Sequence, residues 1–189
     1  MLAGIYLAVA FKGARPLVLF AAASVGQSVK WKSYVNSNLG FELTYPTQYK
    51  VTDFPDSKSY AASGLKPLLY AANTKRGDDR QKASIEIVLD RRAFTFETLR
   101  SNYSPTGMED IAPAPIRVGE YTFYYYGAGG GGVSYPDQYF YNLHGRILRI
   151  MFDGPYPPDD KSPTGETKEI ERKVLASFRL LRAGHPAHH

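Results

Sequence analysis

Few stretches of this chain carry residue types at spacings that active sites use, and each meets an obstacle nearby. Gly127-Ala128-Gly129-Gly130-Gly131-Gly132 satisfies the G-x-G-x-x-G spacing, which in a dinucleotide fold lets backbone amides approach a pyrophosphate at a helix N-terminus. Here Val133-Ser134-Tyr135-Pro136 follows, with no helical pattern and no acidic residue on a succeeding strand, so the run reads as a strand-to-strand loop. Gly132-Val133-Ser134-Tyr135-Pro136 approaches a nucleophile elbow but has Pro where the last Gly belongs. A serine nucleophile also needs a base. Three of the four histidines stand in the tail at His185, His188 and His189, and His144, beside Gly145, reads as a turn residue.

Metal and carboxylate chemistry fare similarly. The tail imidazoles suit Zn²⁺, Ni²⁺ or Cu²⁺ but lack a rigid framework, and Asp153, Asp159 and Asp160 share one loop without the EF-hand pattern. No catalytic, metal or cofactor residue is therefore expected. Glu86 with Asp90, or Asp153 with Asp159, are the pairs left for general acid–base work.

A tyrosine cluster at 121, 124, 125, 126, 135, 139 and 141 surrounds the glycine run. Alternate tyrosines on adjacent strands pack a core. Tyrosine also suits recognition surfaces, because it offers contact area at low rotamer cost. The second reading makes Tyr124, Tyr126, Gly129, Gly130, Tyr135 and Tyr139 a candidate binding surface.

These residues need a scaffold, and 189 residues with 43% hydrophobic content supply one domain with a substantial core. Zero cysteines exclude disulfides, thiolate catalysis, Cys-ligated zinc, iron–sulfur clusters and a lipid-acceptor cysteine. The formal charge of +5 falls to +3 once Lys12 and Arg15 are set aside with residues 1–26. The remaining Lys and Arg are scattered, so no nucleic-acid surface is expected. Lys12 and Arg15 precede the apolar run Pro16–Ala23, followed by small residues at Ser24 and Gly26. Residues 1–26 thus read as an export signal or an uncleaved N-terminal anchor, the chain's one expected membrane contact. The bland alternative is a buried N-terminal helix.

From Trp31 short strands and turns follow: Trp31–Val35, a turn at Asn36–Gly40, then Phe41–Tyr45 stopped by Pro46, with Tyr49–Val51 as an edge. Residues 53–67 look like a loop. Leu68–Asn73 and Ser84–Leu89 form a pair around Arg76-Gly77-Asp78-Asp79. Thr95 should cap a helix that Pro105 and Gly107 stop, with Phe94 stapled against Leu99. Ile116–Val118, Tyr121–Tyr126, Tyr139–Leu143 and Arg146–Phe152 complete the strands. In the last, Leu148, Ile150 and Phe152 face one way and Ile147 and Met151 the other, so both sheet faces need covering. A helix at Glu166–Ala176 presents Ile170, Val174, Leu175 and Phe178 on one stripe, and Ser177–Leu181 returns as a strand. One domain at about 31–182 is expected, with 183–189 a disordered tail.

This order resembles the PsbP-like family, which includes extrinsic photosystem II subunits, a yeast Ran-binding import factor and small exported bacterial proteins. The residues that carry the resemblance are Tyr34-Val35-Asn36, Gly40-Phe41-Glu42-Leu43-Thr44-Tyr45-Pro46 with Tyr49, Leu143-His144-Gly145-Arg146-Ile147-Leu148-Arg149-Ile150, and Val174-Leu175-Ala176-Ser177-Phe178. The resemblance implies an α+β fold: an α/β/α sandwich with a central, mostly antiparallel twisted sheet of about six or seven strands and helices on both faces. It also implies a non-catalytic binding or assembly module, periplasmic or secreted, for a protein partner or small ligand. The alternatives are a carboxylate-dependent enzyme and a membrane-anchored structural envelope protein.

Overall fold

The computed structural model describes residues 29–55, 57–73, 83–104, 112–126, 136–154 and 165–181. Period-2 alternation and Asn/Gly turns make the first of these an antiparallel pair, β1 (Trp31–Asn36) and β2 (Phe41–Pro46), in register from Trp31 opposite Pro46 to Asn36 opposite Phe41. Gly40 takes a positive φ of 69° to close the turn, and Asn36 Oδ1 accepts the Leu39 amide.

This hairpin does not join the main sheet. With β10 (Arg179–Leu180) it forms a three-stranded sheet in the order β1-β2-β10. The seven-stranded sheet is built without it, from β3 (Tyr49–Val51), β4 (Leu65–Asn73), β5 (Ser84–Ala93), β6 (Ala114–Val118), β7 (Tyr121–Tyr126), β8 (Asp137–Leu143) and β9 (Arg146–Asp153). Its order is β3-β4-β5-β9-β8-β7-β6, antiparallel throughout. The expected α+β sandwich with an antiparallel sheet of about seven strands is thus present, and the expected edge strand at Tyr49–Val51 does lie at an edge.

Residues 53–67 are more ordered than a loop. A short helix, α1 (Ser57–Ala62), precedes β4, which starts at Leu65 despite Pro67. A register shift between Pro67 and Leu69 admits the proline, and the Leu68 carbonyl accepts a hydrogen bond from Tyr34 Oη at 3.1 Å, tying the two sheets together. The β8–β9 hairpin turns at His144 and Gly145, with φ of 53° and 81°. Paired positive φ values mark the primed turn that matches strand twist.

Both faces of the large sheet are covered. On one, α3 (Gly165–Ser177) and the small sheet pack Ile170, Val174, Leu175, Phe178, Phe41 and Leu43 against Ile85, Ile87, Leu89, Leu148, Ile150 and Phe152. On the other, α2 (Phe96–Tyr103) buries Leu99 and Tyr103 against Tyr126, Phe140 and Ile147, with Phe94 beside them. Thr95 caps α2, its hydroxyl accepting the Thr98 amide at 3.0 Å. The helix ends at Tyr103, before Pro105.

Phe178 is fully buried where the layers meet, within 4.9 to 5.8 Å (ring centroids) of Phe41, Tyr121, Phe123 and Tyr141. Phe178→Ala is expected to cost about 3–5 kcal/mol in urea unfolding, the usual range for emptying such a site. A loss below about 1 kcal/mol would contradict this packing.

Candidate functional site

The most chemically loaded place in the fold lies between α3 and the far end of the large sheet. On α3, positions 168, 171 and 175 follow the i, i+3, i+7 spacing that keeps side chains on one face, so Lys168, Glu171 and Leu175 all look toward the sheet. Opposite them, β8 alternates Asp137, Tyr139, Tyr141 and Leu143 onto the same side. Tyr125 of the neighbouring β7 completes the group, its ring stacked on Tyr139 at 4.9 Å.

The polar atoms form one connected network. Lys168 Nζ donates to Asp137 Oδ2 at 2.6 Å and to Glu171 Oε2 at 3.2 Å. Tyr139 Oη donates to Glu171 Oε2 at 3.1 Å, and Tyr125 Oη to Asp137 Oδ1. Both carboxylates are 2% exposed as residues, so their charge is held almost out of water. Asp137 has both oxygens occupied. No donor among the described residues reaches Glu171 Oε1, and the protonated Glu171 carboxyl is stabilised by a hydrogen bond to Asp137.

One cation bridging two buried carboxylates leaves the group short of positive charge. Burial, and then the neighbouring Asp137 charge, lift the Glu171 carboxyl from 4.5 to about 7 against the opposing pull of Lys168. Burial alone would lower the Lys168 ammonium, but its hydrogen bond to Asp137 and the two negative charges hold it above its ordinary value. The Tyr139 hydroxyl is raised by burial and by the charges of Glu171 and Asp137.

Beside this network opens a cavity of about 250 Å³ lined by Ile116, Val118, Tyr139, Lys168, Glu171, Arg172 and Leu175. Ile116 and Val118 belong to β6, the edge strand, so the sheet edge forms one wall and α3 the other. Most of the lining surface is apolar, with charged groups converging at one side, the make-up of a small-ligand pocket.

The residues singled out from sequence fall elsewhere or apart. Tyr139 is 7% exposed and belongs to the network, whereas Tyr126, 4% exposed, lies on the opposite sheet face and accepts a hydrogen bond from Ser104. Tyr124 shares that opposite face, half-buried between Phe94 and the exposed Phe96. These three tyrosines therefore do not form one surface. Gly129, Gly130 and Tyr135 lie outside the described residues, as do Ser134, Asp159, Asp160, the tail histidines and residues 1–26.

Glu86 and Asp90 both sit on the α2 side of β5, each engaged locally. Tyr60 Oη donates to Glu86 Oε2 at 2.8 Å, and burial raises that carboxyl. Asp90 accepts from Tyr103 Oη at 2.6 Å and Arg92 Nε at 2.7 Å. Burial would raise Asp90, but those hydrogen bonds hold it below the usual range. His144 is exposed in its turn. Among the described residues no three His, Asp or Glu side chains are placed to hold a metal ion.

Asp137, Lys168, Glu171 and Arg172 were missed in the sequence reading. The available signal was Glu171 itself, which stands at the i position of an i, i+3, i+4, i+7 set completed by Val174, Leu175 and Phe178, and so had to face inward.

No family model matches the chain, and no curated protein matches it. Among solved structures, the solution structure of cyanobacterial PsbP (CyanoP) from Synechocystis sp. PCC 6803 is similar over 86% of this chain and 98% of that one, at 14% identity and a TM-score of 0.50. A crystal structure from Bacteroides thetaiotaomicron VPI-5482 is similar over 82% of this chain at 12% identity and a TM-score of 0.49, and the chain spans about half of that protein's length. The likeness to cyanobacterial PsbP shows the fold to be PsbP-like, as the sequence resemblance implied.

A raised carboxyl makes stability depend on pH in a defined direction. Folded Glu171 holds its proton more tightly than the unfolded chain does, so this group withdraws stability as pH rises from about 4.5 to about 7 and changes nothing above. Relative to Glu171→Gln, the wild type is expected to lose on the order of 3 kcal/mol across that window in urea unfolding. A difference constant with pH would contradict the assignment.

Proposed function

We propose that the chain is a non-catalytic, extracytoplasmic binding module whose ligand enters the cleft between α3 and the β6 edge. One observation carries this reading: a largely apolar cavity of about 250 Å³ opens between α3 and the β6 edge, with Lys168, Glu171 and Arg172 on its lining. The polar network at one side of the cavity is fixed in place, because Lys168, Tyr139 and Tyr125 each bind a carboxylate.

Export is proposed from Lys12 and Arg15 ahead of the apolar run in residues 16–23. Among the described residues no helix is long and apolar enough to cross a membrane. Recovery of the chain from the cytoplasmic fraction with residues 1–26 intact would remove that part of the proposal.

A second reading, the carboxylate-dependent enzyme, is favoured by the Glu171 carboxyl lying near 7 beside Asp137, since paired groups that titrate apart can act as acid and base. Turnover of a substrate, abolished by Glu171→Gln, would select it.

Val118→Trp places an indole from the edge strand into the cavity without burying charge. Small apolar fragments titrated into the wild-type chain are expected to shift the amide NMR signals of α3 and β6 saturably. The tryptophan variant, equally folded, should lose those shifts. Identical titrations of the two chains would place binding elsewhere.

A further inference from the structure

The cavity beside α3 opens along a strand whose outer side has no neighbour. β6 ends the order of the large sheet, and among the described residues only β7 pairs with it. Their hairpin closes from Val118 to Tyr121 across Gly119 and Glu120, with Gly119 at a φ of 61°. In a two-residue hairpin the closing residues exchange backbone hydrogen bonds, and bonded and non-bonded pairs alternate from there. Val118, Ile116 and Ala114 therefore bond to β7, whereas the backbone groups of Arg117 and Pro115 point away from it. The proline agrees with this parity, since a paired strand admits one where its missing N–H would face outward. Both residues are exposed. The open edge thus offers the Arg117 amide, the Arg117 carbonyl and the Pro115 carbonyl.

Side chains decide what fits along it. Ile116 and Val118 are half-buried on the cavity lining with Leu175, and Arg117 between them faces the opposite side of the sheet. A strand laid antiparallel on β6 sets the residue opposite Arg117 on the arginine's side and both its neighbours on the cavity side. Arg117 and the cavity-lining Arg172 are exposed, and neither forms an ion pair among the described residues. The edge is therefore complementary to an acidic segment. A second copy fits poorly. Pairing β6 with itself about Arg117 puts like charges side by side, and pairing it about Ile116 forfeits both bonds that Pro115 cannot donate.

We infer that β6 accepts an extended segment of a partner protein as an added antiparallel strand of pattern aliphatic-acidic-aliphatic. The acidic residue lies beside Arg117, and an aliphatic side chain enters the cavity against Ile116, Val118 and Leu175. Main-chain bonds to Arg117 and Pro115 supply affinity, and the cavity supplies selection. This rests on the cleft being the binding place, as proposed above, and names the kind of partner that enters it.

The test titrates the full chain with acetyl-Thr-Val-Glu-Val-Thr-amide and with forms methylated at single backbone nitrogens, reading the α3 and β6 amide signals. With glutamate opposite Arg117, its N–H meets the Arg117 carbonyl and the final threonine N–H meets the Pro115 carbonyl, while both valine N–H groups point to solvent. Methylating the glutamate or the final threonine nitrogen is expected to weaken binding at least about tenfold, because a carbonyl loses its donor and meets a methyl group instead. Methylating either valine nitrogen should change it less than about twofold, since neither nitrogen bonds to β6. Lysine in place of the glutamate should cost roughly fivefold at low salt. All of these comparisons use the unaltered chain, so none depends on a variant that folds. Binding that falls alike with every methylated peptide, or with none, would overturn the added strand, and equal binding of the lysine peptide would overturn the acidic pattern. No saturable shift with any peptide, where small apolar fragments still titrate the cleft, would overturn the strand and leave the cleft standing. No saturable shift with peptides or fragments would sink both.

Discussion

The architecture turns on the need to cover both faces of the strands at the centre of the large sheet. In β9, Leu148, Ile150 and Phe152 are buried toward α3 while Ile147 is buried toward α2, and in β5 the residues from Ser84 to Asp90 are all buried. Apolar area of that extent cannot face water on either side. The chain meets the demand with α1 and α2 on one side, and with α3 backed by a separate three-stranded sheet on the other. Phe178 joins the layers, and Ser177 fastens the helix end to β2 by accepting the Thr44 amide at 2.8 Å.

That seating of α3 produces the site. Once Val174, Leu175 and Phe178 are fixed against the sheet, helical geometry carries Glu171 under cover with them. An isolated buried carboxylate would be prohibitive, so the sheet offers Tyr139 and the helix offers Lys168, and Asp137 anchors the lysine from the strand. The arrangement gives three of the four carboxylate oxygens a donor and leaves the fourth, Glu171 Oε1, without one among the described residues. A core built only for stability would have little use for such a group, since an apolar side chain of similar volume is usually as good or better. The opposite face shows the contrast: Asp90 is satisfied by Tyr103 and by Arg92 from both its side chain and its backbone amide.

Much of the fold was legible in the sequence because it rests on local signals. The Thr95 cap, the His144-Gly145 turn and the two-faced pattern of Arg146–Phe152 each follow from nearest-neighbour stereochemistry, and each stands where it was expected. The assignment of the first hairpin to a separate sheet was not legible, since alternation says which face is apolar and says nothing of which strand lies alongside. The helix at Ser57–Ala62 was hidden by its shortness and by Pro55, Gly64 and Pro67 around it. The site was obscured for a different reason. Starting the strand at Tyr139 left Asp137 in a loop, and reading the stripe of α3 by its apolar members passed over Glu171, although its position was set by the same periodicity. The tyrosine cluster drew attention by composition, yet Tyr139 and Tyr126 point to opposite sides of one sheet, which alternation along β7 and β8 enforces.

The central claim is that Glu171 is a buried carboxyl held short of positive charge beside the cleft. The most direct measurement is ¹³C NMR of the Glu171 side-chain carboxyl across pH, assigned by its disappearance in Glu171→Gln. A titration midpoint near 7 that drops toward the ordinary value in Asp137→Asn is the predicted result. A midpoint near 4.5 in the unaltered chain would mean that Glu171 is solvated, and the account of the cleft built on it would be wrong.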